Sequence, residues 1–158
     1  MFKLLFIVSA VSATCESNAH SIDWSTFPYA SKDIKDCSYA GALDTGNDHH
    51  LFYWFFKNQN ETAPLAIWLN GGPGSSSMFG LFLENGPVRV LKTGPTDDDF
   101  SLVPANQSWT DDYSVLWLDQ PVGTGFSYGD LTNLSMQTAG DDFINFIAAF
   151  YNMYPEMK

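Results

Sequence analysis

The stretch Pro64-Leu65-Ala66-Ile67-Trp68-Leu69-Asn70-Gly71-Gly72-Pro73-Gly74-Ser75-Ser76-Ser77 decides the fold. Pro64 to Leu69 is an apolar run of strand length, too short for a helix and without 3.6-residue spacing. It breaks into two glycines and a proline, where the backbone can approach another group closely and turn its N–H donors outward. A strand that runs into such a turn and then into a helix has the backbone an oxyanion hole requires: fixed donors aimed at developing negative charge. All three histidines, His20, His49 and His50, precede this turn, so no acid–base partner for a serine follows it.

Outward from that stretch, the sequence predicts a mixed α/β arrangement. Glu16 to Asp36 reads as a polar, irregular surface wrap. Strands are predicted over Ser38–Leu43 and His50–Phe56, with the hairpin turn Asp44-Thr45-Gly46-Asn47-Asp48 between them. After the Pro64–Leu69 strand, Ser75 to Leu83 reads as a short helix capped by a serine. Val88–Leu91 is a fourth short strand, Lys92–Asp112 a loop rich in Asp, Pro and Asn, and Tyr113–Leu118 a buried strand. Phe143, Ile147, Phe150 and Tyr154 recur at three- and four-residue intervals until Pro155, which marks a helix and its end; Ile144, Phe146 and Tyr151 lie alongside. No internal repeat or low-complexity segment interrupts this order.

The 158 residues suffice for one domain, and 45% apolar with 16% aromatic residues supply a core. Met1 to Ala13 has a basic end, a short apolar run and a small-residue exit, and reads as a signal peptide cleaved after Ala13. The run is far shorter than the ~20 residues of a membrane span. Without Lys3, six basic residues face 18 acidic ones, a net charge of −12 that argues against nucleic acid or anionic membranes as partners. Sequons at Asn60, Asn106 and Asn133 fit a glycoprotein of the secretory pathway, secreted or held in a lysosomal or vacuolar lumen. Cys15 and Cys37 exclude a cysteine-rich metal site. They can pair with each other, or one can pair elsewhere.

Several blocks, in order, resemble the serine carboxypeptidase family of α/β-hydrolases: Tyr39-Ala40-Gly41, His50 to Phe56, Trp68 to Gly74, Glu84-Asn85-Gly86-Pro87, and Leu118 to Tyr128. The resemblance implies that residues 14–158 are the N-terminal portion of that fold, roughly its first third, ending before the strand that leads to the nucleophilic serine. It implies hydrolysis of peptides at their C-termini with no cofactor. By the same resemblance, the Gly72 N–H helps hold the oxyanion, while Asn70 and the Gly71 N–H bind the substrate's terminal carboxylate. Glu84 would share a proton with a second glutamate and donate to that carboxylate, and Trp68 would buttress the group through its indole N–H. Two close carboxyls raise one pKa, which favours acidic pH. Family members commonly carry cysteine where this chain has Ser75. A non-catalytic secreted fragment or binding protein is one alternative. The acyltransferase branch of the family is another, and Asn70 and Glu84 favour the peptidase.

Three motifs read otherwise. Gly125-Phe126-Ser127-Tyr128-Gly129 matches the G-x-S-x-G nucleophile elbow, but no helix start follows Ser127 and no histidine lies downstream. Ser127 is therefore expected to be a structural loop residue. His49 and His50, adjacent on a strand, point to opposite faces and do not share a metal, so a turn or surface position is expected. Asp97-Asp98-Asp99 lacks the glycine and distal glutamate of a calcium loop and reads as solvated.

Overall fold

Strand β2 carries large side chains on both faces, and the rest of the fold covers them. The computed structural model describes residues 15–158, so the leader read over residues 1–13 lies outside the described residues. The strands are β1 (Cys37–Gly46), β2 (His49–Lys57), β3 (Leu65–Trp68), β4 (Val88–Lys92), β5 (Phe100–Pro104), β6 (Ser114–Leu118) and β7 (Tyr128–Gly129). One α-helix, α1 (Met136–Met153), follows.

The main sheet runs in the order β1-β2-β6-β3, with β7 on the end of β2. β1 and β6 are antiparallel to β2, and β3 is parallel to β6, so the sheet is mixed. Side chains alternate across it. Leu51, Tyr53 and Phe55 with Leu116 and Leu118 face Phe146, Phe150 and Tyr154 of α1. Trp54 and Phe56 with Val115 and Trp117 face Trp24, Ile34, Met78, Leu81, Val88 and Leu102 on the other side. Burial on both faces explains why β2 and β6 read as unbroken apolar runs rather than alternating ones.

The β1–β2 turn places Asn47 and Asp48 at positive φ, the left-handed pair a tight hairpin needs. α1 begins at Ser135, whose hydroxyl accepts the Thr138 N–H while Thr138 returns a bond to the Ser135 N–H. This is a reciprocal cap.

Three expectations are corrected. Lys92–Asp112 is not all loop, because β5 pairs antiparallel with β4 from Val88↔Pro104 to Lys92↔Phe100. The segment after Ser75 is not a regular α-helix. A serine does sit at its start, Ser76 Oγ accepting the Met78 N–H at 3.2 Å, but it ends in a π-helical turn, Gly80–Glu84, closed by the Asn85 N–H on the Gly80 carbonyl at 2.9 Å. The wrap over Glu16–Asp36 is irregular, yet it buries Trp24 and Ile34 in the core. Trp24 stacks on Trp54 at 5.8 Å between ring centroids. Cys15 and Cys37 form a disulfide, which settles the pairing left open by the sequence.

Candidate functional site

β3 delivers Trp68 to the edge of the turn, and the indole sets the orientation of Asn70. The Trp68 Nε1–H donates to Asn70 Oδ1 at 2.6 Å. An indole nitrogen can only donate, so the atom facing it is the amide oxygen and the Asn70 NH₂ points away. Among the described residues that NH₂ has no partner. The Asn70 backbone N–H is held by Ser77 Oγ at 3.0 Å, and Ser77 Oγ donates in turn to the Leu118 carbonyl at 2.6 Å.

Gly71 and Gly72 are exposed, and neither N–H donates to a partner among the described residues. Gly72 sits at φ +136, and a Cβ there would lie 3.1 Å from the Gly74 nitrogen. Glycine is required at that position. The turn therefore presents an amide NH₂ and two unpaired backbone N–H groups to solvent. Such a donor set suits an anion.

Glu84 closes the π-helical turn, whose first residue, Gly80, lies against the Trp68 indole. Its carboxylate is exposed and has no hydrogen-bond partner among the described residues. Its carbonyl accepts from Arg89 Nη2 at 2.7 Å.

A model of the family described as serine carboxypeptidase matches residues 28–158. The chain belongs to the serine carboxypeptidase family. It is 38% identical over 156 residues to carboxypeptidase Y of Schizosaccharomyces pombe, covering 89% of this chain and 15% of that protein. With carboxypeptidase Y homolog A of Arthroderma otae it shares 43% identity over 121 residues, 75% of this chain and 21% of the relative. The structure is similar to that of Kex1(delta)p, a prohormone-processing carboxypeptidase from Saccharomyces cerevisiae, with a TM-score of 0.75 and 27% identity. That match covers 87% of this chain and 33% of the yeast one. The chain thus spans a minor part of the length of each of these relatives, and its mixed sheet is part of an α/β-hydrolase fold.

Within this family framework, Ser127 is a fastener. Its buried hydroxyl donates to the Asp119 carbonyl at 2.6 Å and accepts the Phe52 N–H at 2.7 Å, joining the 119–127 loop to β2. The loop reading of the elbow-like motif agrees with this geometry. The expectation for His49 is corrected: it is buried at 4% exposure, with Nδ1 2.8 Å from Asp142 Oδ2 and Nε2 2.8 Å from the Asp130 carbonyl. The imidazole faces inward because β2 begins one residue earlier than its hydrophobic run suggested. His50 stacks on Tyr128 with its centroid 4.7 Å away. Asp99 Oδ2 accepts the Thr96 N–H within its own loop.

Asp119 is the site residue that sequence reasoning missed. It is fully buried at the end of β6, and Oδ1 accepts from the Ser76 hydroxyl at 2.8 Å and the Ser77 N–H at 2.7 Å. Oδ2 accepts the Phe126 N–H at 3.0 Å. One carboxylate thus fixes the far end of the glycine turn to the 119–127 loop. The available signal was an Asp directly after the apolar run Val115–Leu118, where an acidic residue is buried only if donors surround it.

Proposed function

We propose that residues 14–158 form the N-terminal portion of a serine carboxypeptidase domain, and that Asn70 and Gly71 of the turn recognise the free carboxylate of a peptide C-terminus. The observation that carries this is the Trp68–Asn70 hydrogen bond, which turns the Asn70 NH₂ away from the indole, next in the chain to the Gly71 and Gly72 N–H groups that have no partner among the described residues. Asn70, Gly71, Glu84 and Trp68 make up the carboxylate site, and the Gly72 N–H contributes to the oxyanion hole. The complete protein would release C-terminal residues through an acyl-enzyme, with serine, acid and histidine following in that order. No histidine follows any serine of the turn within these 158 residues, so this chain by itself does not hydrolyse peptides. A fluorophosphonate serine probe is expected to leave it unlabelled. Stoichiometric labelling that Ser127→Ala abolishes would contradict the assignment.

In a complete enzyme carrying this segment, Asn70→Ala and Glu84→Gln should lower kcat/KM for free-carboxylate peptides by roughly tenfold or more. That corresponds to one charge-assisted hydrogen bond of ~1.5–3 kcal/mol. Amidated or ester analogues should be affected far less, and equal losses on both would overturn the role. The signal peptide read over 1–13 and the sequons at Asn60, Asn106 and Asn133, all three exposed, support a secretory-pathway protein that carries glycans at those sites. The Cys15–Cys37 disulfide supports that reading. No helix among the described residues is long and apolar enough to cross a membrane.

A further inference from the structure

His49 has acceptors at both ring nitrogens. A carboxylate faces Nδ1 and a backbone carbonyl faces Nε2, each at 2.8 Å. A neutral imidazole has one N–H, so it can serve only one of them, whereas an imidazolium serves both. The ring is thereby a three-way junction. It sits at the start of β2, binds α1 through Asp142 and binds the segment after β7 through Asp130. The Thr45 hydroxyl, in β1, lies 3.2 Å from Asp142 Oδ1 and adds the other arm of the hairpin. A cavity of about 400 Å³, lined by Asn47, His49, Asp130, Asn133 and Thr138, gives solvent a route for proton exchange.

We propose that His49 is a proton-operated latch, fastening residues 130–132 to the β1–β2 hairpin while doubly protonated and releasing them when it loses a proton. The charge-assisted bond to Asp142 is the stronger of the two, so the neutral ring keeps Nδ1–H and the Asp130 contact is the one lost. Around Asp130 the other ties are few: β7 is two residues long, with His50 stacked on Tyr128, and the Asp130 N–H reaches the Asp48 carbonyl at 3.3 Å, while Asn133 and Ser135 are already fixed to α1 through Thr138. The ionisable groups on the surrounding elements are Asp44 of β1, Asp48 of the turn, His50 of β2, Tyr128 of β7, Asp130, and Asp141 with Asp142 of α1. All but His50 and Tyr128 are carboxylates, which favour the charged ring. Burial works against protonation, but the Asp142 hydrogen bond and charge outweigh it and raise His49 above its ordinary 6.5. The latch is therefore closed at acidic pH and opens above 6.5, as pH rises through the folded value.

Hydrogen exchange on the 158-residue chain tests this, followed in peptides spanning 128–136 and divided by the intrinsic rate at each pH. Protection of that segment should fall by up to about tenfold per pH unit above the transition, the slope set by one proton, while β2–β6 amides stay protected. Asp142→Asn should move the step to lower pH, and His49→Gln should remove it. Should either variant misfold, imidazole ¹⁵N shifts of the unmodified chain decide: both His49 nitrogens protonated at pH 6, and Nε2 unprotonated above the step. A neutral ring at pH 6, flat exchange in the unmodified chain, or a step that survives His49→Gln overturns the proposal.

Discussion

A buried carboxylate with three donors holds the end of the 70–77 turn, and Asp119 shows how much can rest on one side chain. Replacing it with Asn keeps the shape but turns one acceptor oxygen into a donor facing the Ser76 hydroxyl and Ser77 N–H or the Phe126 N–H. Losing one charge-assisted bond and leaving an N–H opposite a donor should destabilise Asp119→Asn by ~1.5–3 kcal/mol in urea unfolding. An unchanged midpoint would show that the ties are dispensable. The turn formed by Asn70, Gly71 and Gly72 was legible in the sequence because its geometry is local: a strand, a turn and the backbone freedom of glycine. Asp119 was not, because its partners Ser76 and Ser77 lie more than 40 residues away in the chain and nothing in its neighbourhood announces them. The same holds for His49 and Asp142, which are separated by 93 residues.

Among the elements, α1 was the most readable, since its period of three and four residues is a physical consequence of one buried face. Phe146 and Phe150 are fully buried against Tyr53 and Phe55, while Ile144 is 66% exposed. Truncating a buried aromatic removes its transfer energy and leaves a cavity, so Phe150→Ala should cost about 3–5 kcal/mol. Ile144→Ala should stay within about 0.5 kcal/mol. Similar losses at the two positions would mean that the apolar stripe was misassigned. At the helix start, Ser135→Ala removes an acceptor for the Thr138 N–H and should cost about 1 kcal/mol, which thermal unfolding can resolve. β5 was hidden by its surroundings, with Asp97 to Asp99 before it and Pro104 at its end. Its buried Leu102 gave a single inward position, too little to mark a two-residue period. The π-helical turn is likewise illegible, because it depends on the fit of Gly80 against the Trp68 indole.

For the molecule as a whole, charge and titration together set where it is most stable. Asp23, held by Ser25, and Asp99 and Asp130, held by the backbone N–H groups of Thr96 and Thr132, lie below the ordinary 3.8. Burial works against ionisation of Glu156, but the Lys57 ammonium at 2.8 Å outweighs it and lowers its pKa. Depressed carboxylates stabilise the fold above their unfolded values and lose that contribution as pH falls through the folded ones. They set the acid limit, at and below about 4. Asp36, raised by burial, has the opposite sign and begins to cost stability as pH rises past 3.8. His49, raised, contributes fully below 6.5 and loses that contribution as pH climbs through its folded value, so it sets the neutral-side limit. The net charge of −11 on the full chain adds self-repulsion on that same side, and the repulsion fades toward the sequence pI of about 4.2. Four depressed carboxylates outnumber Asp36 on the acid side, and His49 and the net charge act together on the neutral side, so Tm should peak between about pH 4.5 and 6.5 and decline toward pH 8. Repeating the scan in 0.5 M salt separates the two causes of the decline. Screening relieves repulsion among exposed charges, whereas the buried His49–Asp142 pair is screened much less. Part of the loss between pH 6.5 and 8 should therefore persist in salt and vanish in His49→Gln. A Tm that still rises through pH 8, or a decline that salt removes completely, would show that the buried imidazolium does not govern the stability of this fold.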